Sequence, residues 1–255
     1  MGVVEEPMVA NRGTLTWLSW ALVVLVVISA AVLLLFVTGV LLPPPDENAD
    51  FVDQLLFMRT HDEQAFPFVI VGSLATLGVY LIAAMLGVAL RVWARPTPTR
   101  DAMTLLLVFG GVIGIAAQLL NIGAADAARP FYCDCGYRAE EVIGLDRALN
   151  VAWSMINWMN MGAVSFVGVG AAVAARVVTV SNTWRLLSYA IVVGILVAVA
   201  IRFTASLVFI EAFDPFQVSD LLVAFTSGIL VPIWAILLAR GVTEPEAQPV
   251  APVGG

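Results

Sequence analysis

Long apolar stretches recur six times along this chain, and they constrain its fold more than any other feature. A helix needs about 20 mostly apolar residues to cross the hydrocarbon core of a bilayer. The stretches that meet this length cover residues 15–42, 66–92, 102–125, 148–175, 186–210 and 218–239. The first is far longer than the apolar core of a cleavable signal peptide, so we count it as a span. The sequence therefore predicts an all-α, polytopic transmembrane bundle of six helices.

Composition indicates the same class of protein. Hydrophobic residues make up 61% of the 255-residue chain and charged residues only 12%, whereas a soluble domain usually carries about 25% charged residues. A soluble fold of this length cannot bury so much apolar surface, so the excess must face lipid. We predict one transmembrane domain over residues 1–242, followed by a disordered cytoplasmic tail at 243–255 that is rich in proline, glycine and acids.

The distribution of arginine predicts the orientation of the chain. Cytoplasmic loops carry an excess of basic residues, and this excess places both termini in the cytoplasm, with the chain as a multi-pass protein of a bacterial or archaeal cytoplasmic membrane. The inner segments then hold Arg12, Arg91, Arg95, Arg100, Arg176, Arg185 and Arg240, and the outer segments hold Arg59, Arg129, Arg138 and Arg147. Fourteen of the nineteen acidic residues fall in the outer segments or at their boundary, which makes the outer face strongly anionic.

Several classes of function are excluded by composition. The chain has no lysine, so it cannot form the Schiff base that retinal or pyridoxal phosphate requires. One histidine is too few to ligate several haems, and a net charge of −7 argues against nucleic acid as a partner. The standard hydrolase and nucleotide-binding motifs are missing. We therefore expect a non-catalytic protein with no cofactor and no bound metal.

Arg202 is the strongest indication of a site within the membrane. It lies in the fifth span, and we expect it deep in the bilayer, where an arginine costs at least about 2.5–3.5 kcal/mol on insertion scales and must face the bundle interior. We predict one polar cluster formed by Gln118, Asn121, Asn150, Asn157, Asn160 and Arg202, with Asp220 nearer the mouth. The cluster is either a binding site for an anionic group, which a guanidinium matches in a bidentate way, or a buried structural arginine satisfied by amides and carbonyls.

Small and polar residues form a stripe along the fourth span. They recur at steps of three and four, which places them on one helical face. The stripe consists of Asn150, Ser154, Asn157, Met161, Ser165, Gly168 and Ala172. Such a face turns away from lipid, either to pack against another helix or to line a cavity. On the third span, Gly110 and Gly114 form a GxxxG motif, which predicts close contact between helices of the same chain.

Two further patterns lie in the predicted outer loops. Cys133 and Cys135 form a CxC motif, for which a local disulfide, a metal site with Asp134 and His61, and two idle thiols are the alternatives. The oxidising outer side favours the disulfide. Residues 51–58 mix apolar and charged positions, which predicts a short amphipathic helix lying at the membrane interface.

In its arrangement the chain resembles a group of uncharacterised bacterial six-helix integral membrane proteins of the domain-of-unknown-function type. The resemblance rests on the acidic first outer loop before Phe66, Pro67 and Phe68, and on the segment 182–187 that opens the fifth span after a short polar turn. Similar proteins enter a helix there through a Trp-Leu pair, which Arg185 interrupts in this chain. The resemblance implies a six-helix membrane fold and transfers no functional residue.

Three functions remain open from the sequence. The first is an accessory or scaffold subunit of a membrane complex, with membrane proteins as partners besides the lipid bilayer, because short inner loops and many small residues suit packing. The second is the binding or transport of a small anionic or amphipathic ligand by the cluster around Arg202. The third is an intramembrane or redox-linked enzyme that uses Cys133 and Cys135.

Overall fold

The computed structural model describes residues 6–38, 40, 51–94, 96–128, 139–207 and 215–243. Every regular element in these ranges is helical, so the predicted all-α fold is confirmed. The elements are α1 Glu6–Val37, α2 Phe51–Trp93, α3 Pro98–Ala128, α4 Ala139–Val177, α5 Asn182–Leu207, α6 Pro215–Phe225 and α7 Val231–Thr243, and one π-helical turn, Thr226–Leu230, joins α6 to α7.

Six helical segments are long and apolar enough to cross a membrane, as the sequence predicts. They cover Arg12–Leu35, Gln64–Trp93, Pro98–Ala128, Ile143–Val177, Asn182–Ala205 and Val218–Gly241. Large apolar side chains stay exposed along them, among them Leu34 at 61% and Leu105 and Leu186 at 70%. A soluble bundle would turn such residues toward its core, whereas lipid accepts them. The chain is therefore an integral membrane protein.

Two helices are longer than a membrane crossing requires. α2 has 43 residues and α4 has 39, which gives lengths of about 65 Å and about 58 Å against about 30 Å for the hydrocarbon core. Because α2 begins at Phe51, the prediction of a separate interfacial helix at 51–58 is wrong. No proline or glycine stands between this segment and Phe66 to end the helix. Pro67 lies inside α2, where it removes a single intrahelical hydrogen bond.

The spans form a closed ring in which each helix runs antiparallel to the next. α1 packs on α2, α2 on α3, α3 on α4, α4 on α5 and α5 on α6, and α7 returns to pack on α1. Short connections at residues 94–97 and 178–181 enforce antiparallel neighbours. We call the end that carries these connections the inner end, because the predicted cytoplasmic arginines lie there, and the opposite end the outer end.

A tightly packed core closes the inner end of the ring. Its fully buried side chains, each at most 1% exposed, are Leu15, Leu18, Leu90, Met103, Trp184 and Leu238. The ring of Trp184 on α5 stacks on that of Trp234 on α7 with centroids 5.3 Å apart. Trp234 Nε1 also donates a hydrogen bond to Ser188 Oγ at 2.8 Å. These contacts hold the fifth and sixth spans together at this end.

Glycines on α3 allow close approach of two neighbouring helices. A Cβ at Gly110 would lie 2.9 Å from the carbonyl oxygen of Ala163 on α4, a distance that real Cβ atoms essentially never show. A Cβ at Gly114 would overlap the ring of Tyr80 on α2. The GxxxG motif therefore packs α3 against helices of the same chain, and the prediction of intrachain contact is confirmed.

Candidate ligand-binding cavity

The axis of the helical ring encloses a cavity of about 400 Å³. Residues from all six spans line it, so the cavity depends on closure of the whole ring rather than on one helix pair. Volumes of about 300–1,000 Å³ are typical of small-molecule sites in proteins. The cavity extends from the top of the inner core toward the outer end of the ring.

The inner part of the cavity is apolar. Leu86 of α2, Ile191 of α5 and Trp234 of α7 form its walls, and they are 2%, 2% and 5% exposed. The inner core follows on the same helices, for example at Leu90 and Leu238, and closes the space below. These walls offer dispersion contacts and no charge, so an apolar group gains most from lying here.

An amide network lines one side of the outer part. The Asn160 Oδ1 atom of α4 accepts two hydrogen bonds, one from Gln118 Nε2 of α3 at 3.0 Å and one from the Tyr80 hydroxyl of α2 at 3.4 Å. Gln118 and Tyr80 are both buried, and buried polar groups in a span need such partners. The Tyr80 ring rests in the space that Gly114 leaves open. Three helices are thereby fixed at one level of the cavity.

An ion pair lines the side formed by α5 and α6. Arg202 Nη1 donates to Asp220 Oδ1 at 2.5 Å. The arginine side chain is 9% exposed and the aspartate side chain 62% exposed, so the carboxylate is the member of the pair that faces open space. Ser219 donates its hydroxyl to the Ala198 carbonyl at 3.0 Å, which fixes the register of α6 on α5.

The sixth span contributes its π-helical turn to the cavity wall. Ser227 and Gly228 lie in this turn and line the cavity. Pro232 has no N–H, so a regular α-helix would leave the Gly228 carbonyl without its donor. The Val231 N–H instead bonds the Thr226 carbonyl, five residues back. Such turns often mark functional sites, and a Cβ at Gly228 would meet no atom within 4 Å.

The cavity opens toward the outer end. Leu33, Asn157 and Asp220 all line it and are exposed, whereas Leu86 and Ile191 at the inner end are buried. Among the described residues, exposed side chains therefore enter the lining toward the outer end, beside buried ones such as Gln118 and Arg202. A molecule that enters from the outer side would meet the polar groups first.

Four of the six residues of the predicted polar cluster reach this cavity. They are Gln118, Asn157, Asn160 and Arg202. Asn121 donates instead to Ser73 Oγ of α2 at 3.0 Å, in the contact between α2 and α3. Asn150 is exposed on α4, and neither it nor Asn121 belongs to the lining. The described bonds form two networks, one around Asn160 and one around Arg202, rather than a single cluster.

Arg202 lies on α5, which the structure describes as far as Leu207, and its side chain is buried, as the sequence predicts. Its partner Asp220 was expected only nearer the mouth. Arg202 and Asp220 stand the same number of residues before and after Glu211, which lies between the fifth and sixth spans. In two antiparallel spans this equal sequence separation places the two residues at the same level, and it is the signal in the sequence that indicates the pair.

Tyr80 is a site residue that no motif in the sequence indicates. Its signal is a hydroxyl in the middle of an otherwise apolar span, because a buried tyrosine hydroxyl usually finds a hydrogen-bond partner. Here the partner is Asn160 on α4.

The predicted CxC motif lies outside the described residues. This holds for Cys133, Asp134 and Cys135 and for the side chain of His61, so the disulfide, metal and idle-thiol alternatives stay predictions. Within the part of the chain that the structure describes, no group of three or more His, Cys, Asp or Glu side chains is placed to hold a metal ion.

The chain matches no protein-family model, no curated protein and no solved structure. The resemblance to uncharacterised six-helix membrane proteins therefore stays a prediction. Function has to be inferred from the geometry of the cavity.

Proposed function

We propose that this membrane protein binds an amphipathic small molecule in the cavity at the axis of its helical ring. The apolar body of the ligand lies between Leu86, Ile191 and Trp234, and its polar head reaches the amide network and the ion pair of Arg202 and Asp220. The observation that carries the proposal is the gradient along this cavity, from buried apolar walls to converging polar side chains. A molecule with an apolar body and a polar head matches the apolar walls at one end of the cavity and the polar side chains at the other.

The volume of the cavity supports an occupant. The inner end is walled by apolar side chains, and an apolar space of this kind stays dry and binds apolar molecules. An alkyl chain or another apolar group gains dispersion contacts there.

The placement of the polar groups supports binding rather than packing alone. Polar side chains within a span are costly and usually serve a function. Those that line the cavity come from all six spans and face a shared space. Helix association alone needs only a pairwise bond at a helix contact, such as the one from Asn121 to Ser73.

Filling the cavity tests the proposal. Gly228→Leu introduces a side chain into the cavity at a position where a Cβ meets no atom within 4 Å. Gly162→Leu is the matched control, because the Cβ at Gly162 also meets no atom and the residue does not line the cavity. Native mass spectrometry of protein released from membranes in mild detergent measures the small molecules that are retained.

We expect the wild type and Gly162→Leu to retain the same bound molecule and Gly228→Leu to lose it. Retention of that molecule by Gly228→Leu, or its absence from all three proteins, would contradict the proposal. A lower yield of Gly228→Leu does not affect the comparison, because retention is measured per folded protein.

The other functions predicted from the sequence keep their own tests. An accessory subunit predicts partner proteins that co-purify in stoichiometric amounts from native membranes, and isolation only as a monomer would count against it. Transport of the ligand additionally requires the inner core around Leu90 and Trp184 to open, whereas binding does not. A redox-linked activity of Cys133 and Cys135 predicts its loss on Cys→Ser substitution.

A further inference from the structure

We infer that the head of the ligand is cationic and is bound by the carboxylate of Asp220. The inference rests on the proposed function, since it concerns the polar end of the same cavity. The proposed function requires a polar head but does not specify its charge, and this inference specifies it.

Asp220 presents the exposed charge at the mouth of the cavity. Its side chain is 62% exposed and lines the cavity, whereas the Arg202 side chain is 9% exposed. The bond from Arg202 Nη1 engages the Oδ1 atom of the carboxylate. A carboxylate accepts several hydrogen bonds through its two oxygens. An ammonium group can therefore bind Asp220 while the bond to Arg202 persists.

An anionic head would have to compete with Asp220 for Arg202. The Nη1 atom of the buried Arg202 already donates to Asp220, so an anion gains its contact with the guanidinium only by breaking the existing ion pair. A cation adds to the pair without breaking it. Asn157 also lines the cavity and is exposed, and its amide oxygen can serve as a neutral acceptor.

The negative charge of the outer segments also favours a cationic ligand. In the predicted topology they hold fourteen of the nineteen acidic residues and four of the twelve arginines. A cavity mouth surrounded by negative charge concentrates cations and repels anions over about 10 Å at moderate salt. An approaching cationic amphiphile is thus favoured before it reaches Asp220.

Three amphiphiles that share one alkyl chain test the inference: decylammonium, decanol and decanoate. Each is titrated by calorimetry into the purified full chain in nanodiscs of zwitterionic lipid, and empty nanodiscs correct for partition into the lipid. We expect decylammonium to bind about tenfold more tightly than decanol, because it adds a charge-assisted hydrogen bond. Decanoate should bind more weakly than decanol, and added salt should reduce both differences.

The double variant Arg202→Gln with Asp220→Asn removes both charges together, so neither partner is left charged opposite a neutral one. We expect it to bind decylammonium and decanol equally, and Gly162→Leu to keep the preference of the wild type. If the double variant does not fold, the salt dependence of the wild type decides the matter, since a preference that does not fall with salt would overturn the inference.

Tighter binding of decanoate than of decanol, or equal binding of all three amphiphiles by the wild type, would overturn the cationic head and leave the proposed function standing. Binding no stronger than to empty nanodiscs would overturn the proposed function itself. The two failures are therefore distinguishable in one set of titrations.

Discussion

Gly114 is the residue on which the position of Tyr80 depends. The Tyr80 ring occupies the space that a Cβ at Gly114 would fill, and this contact holds its hydroxyl within reach of Asn160. Gly114→Ala forces the ring to move, so we expect a loss of about 1–3 kcal/mol in the free energy of unfolding. Thermal unfolding in detergent measures it as a lower Tm.

The control for this change lies on the same helix. A Cβ at Gly123 meets no atom within 4 Å, so Gly123→Ala should keep the Tm or raise it, because alanine favours a helix over glycine. Equal melting temperatures for the two alanine variants would contradict the packing of Tyr80 on α3.

Substitution of Arg202 and substitution of Asp220 should lower the free energy of unfolding by different amounts. Asp220→Asn leaves a buried guanidinium facing a neutral amide, whereas Arg202→Leu leaves an exposed carboxylate that water solvates. A buried charge that loses an ionic partner is the costlier of the two. We expect Asp220→Asn to lower the free energy of unfolding by about 3 kcal/mol and Arg202→Leu by less. Denaturation in mixed micelles compares them, and a larger loss for Arg202→Leu would contradict the assigned burial.

At the level of helices, α5 and α7 are joined at the inner end through Ser188. Its hydroxyl accepts from Trp234 Nε1 at 2.8 Å and donates to the Trp184 carbonyl at 2.9 Å. Ser188→Ala leaves the Trp234 N–H buried without this acceptor, and we expect a loss of about 1–3 kcal/mol in stability. Ser165→Ala is the control, because Ser165 bonds the Met161 carbonyl of its own helix. In a Trp234→Phe background, which has no indole N–H, Ser188→Ala should cost less, and an equal cost in both backgrounds would argue against the bond.

The spans themselves follow from the sequence because hydropathy over about 20 residues decides whether a helix crosses the membrane. The ends of the helices do not follow in the same way. α2 begins at Phe51, well before the apolar stretch, because no proline or glycine ends the helix among the polar residues that precede that stretch. Hydropathy measures only the apolar stretch, so it does not predict this extension. Of the seven residues of the predicted stripe on α4, only Asn157 and Met161 line the cavity, because the lining face of this helix runs instead through Asn160, Val164 and Val167.

What the sequence could not provide is the set of neighbours around the ring. The contact of α7 with α1 closes the cavity, and it depends on side-chain fit that periodicity does not encode. Without it, Gln118 and Arg202 are predicted in one cluster, whereas the structure places them in separate networks that line one space.

The whole molecule is closed at its inner end and open at its outer end, so its orientation in the membrane decides which compartment supplies the ligand. Thr179 is exposed at the inner end and Ala127 at the outer end. Single cysteines at these positions, with Cys133 and Cys135 changed to Ser, report the orientation. A membrane-impermeant maleimide added to intact cells should label Ala127→Cys, and Thr179→Cys only after permeabilisation. The reverse pattern would place the mouth of the cavity in the cytoplasm.

The content of the cavity is the most direct test of a ligand-binding role. A cryo-EM structure of the protein in native-lipid nanodiscs, with an antibody fragment to add mass, would reveal that content at side-chain resolution. We predict one elongated non-protein density that runs from Trp234 at the inner end to the pair of Arg202 and Asp220 at the outer end. A cavity filled by its own collapsed side chains, with no such density, would contradict ligand binding.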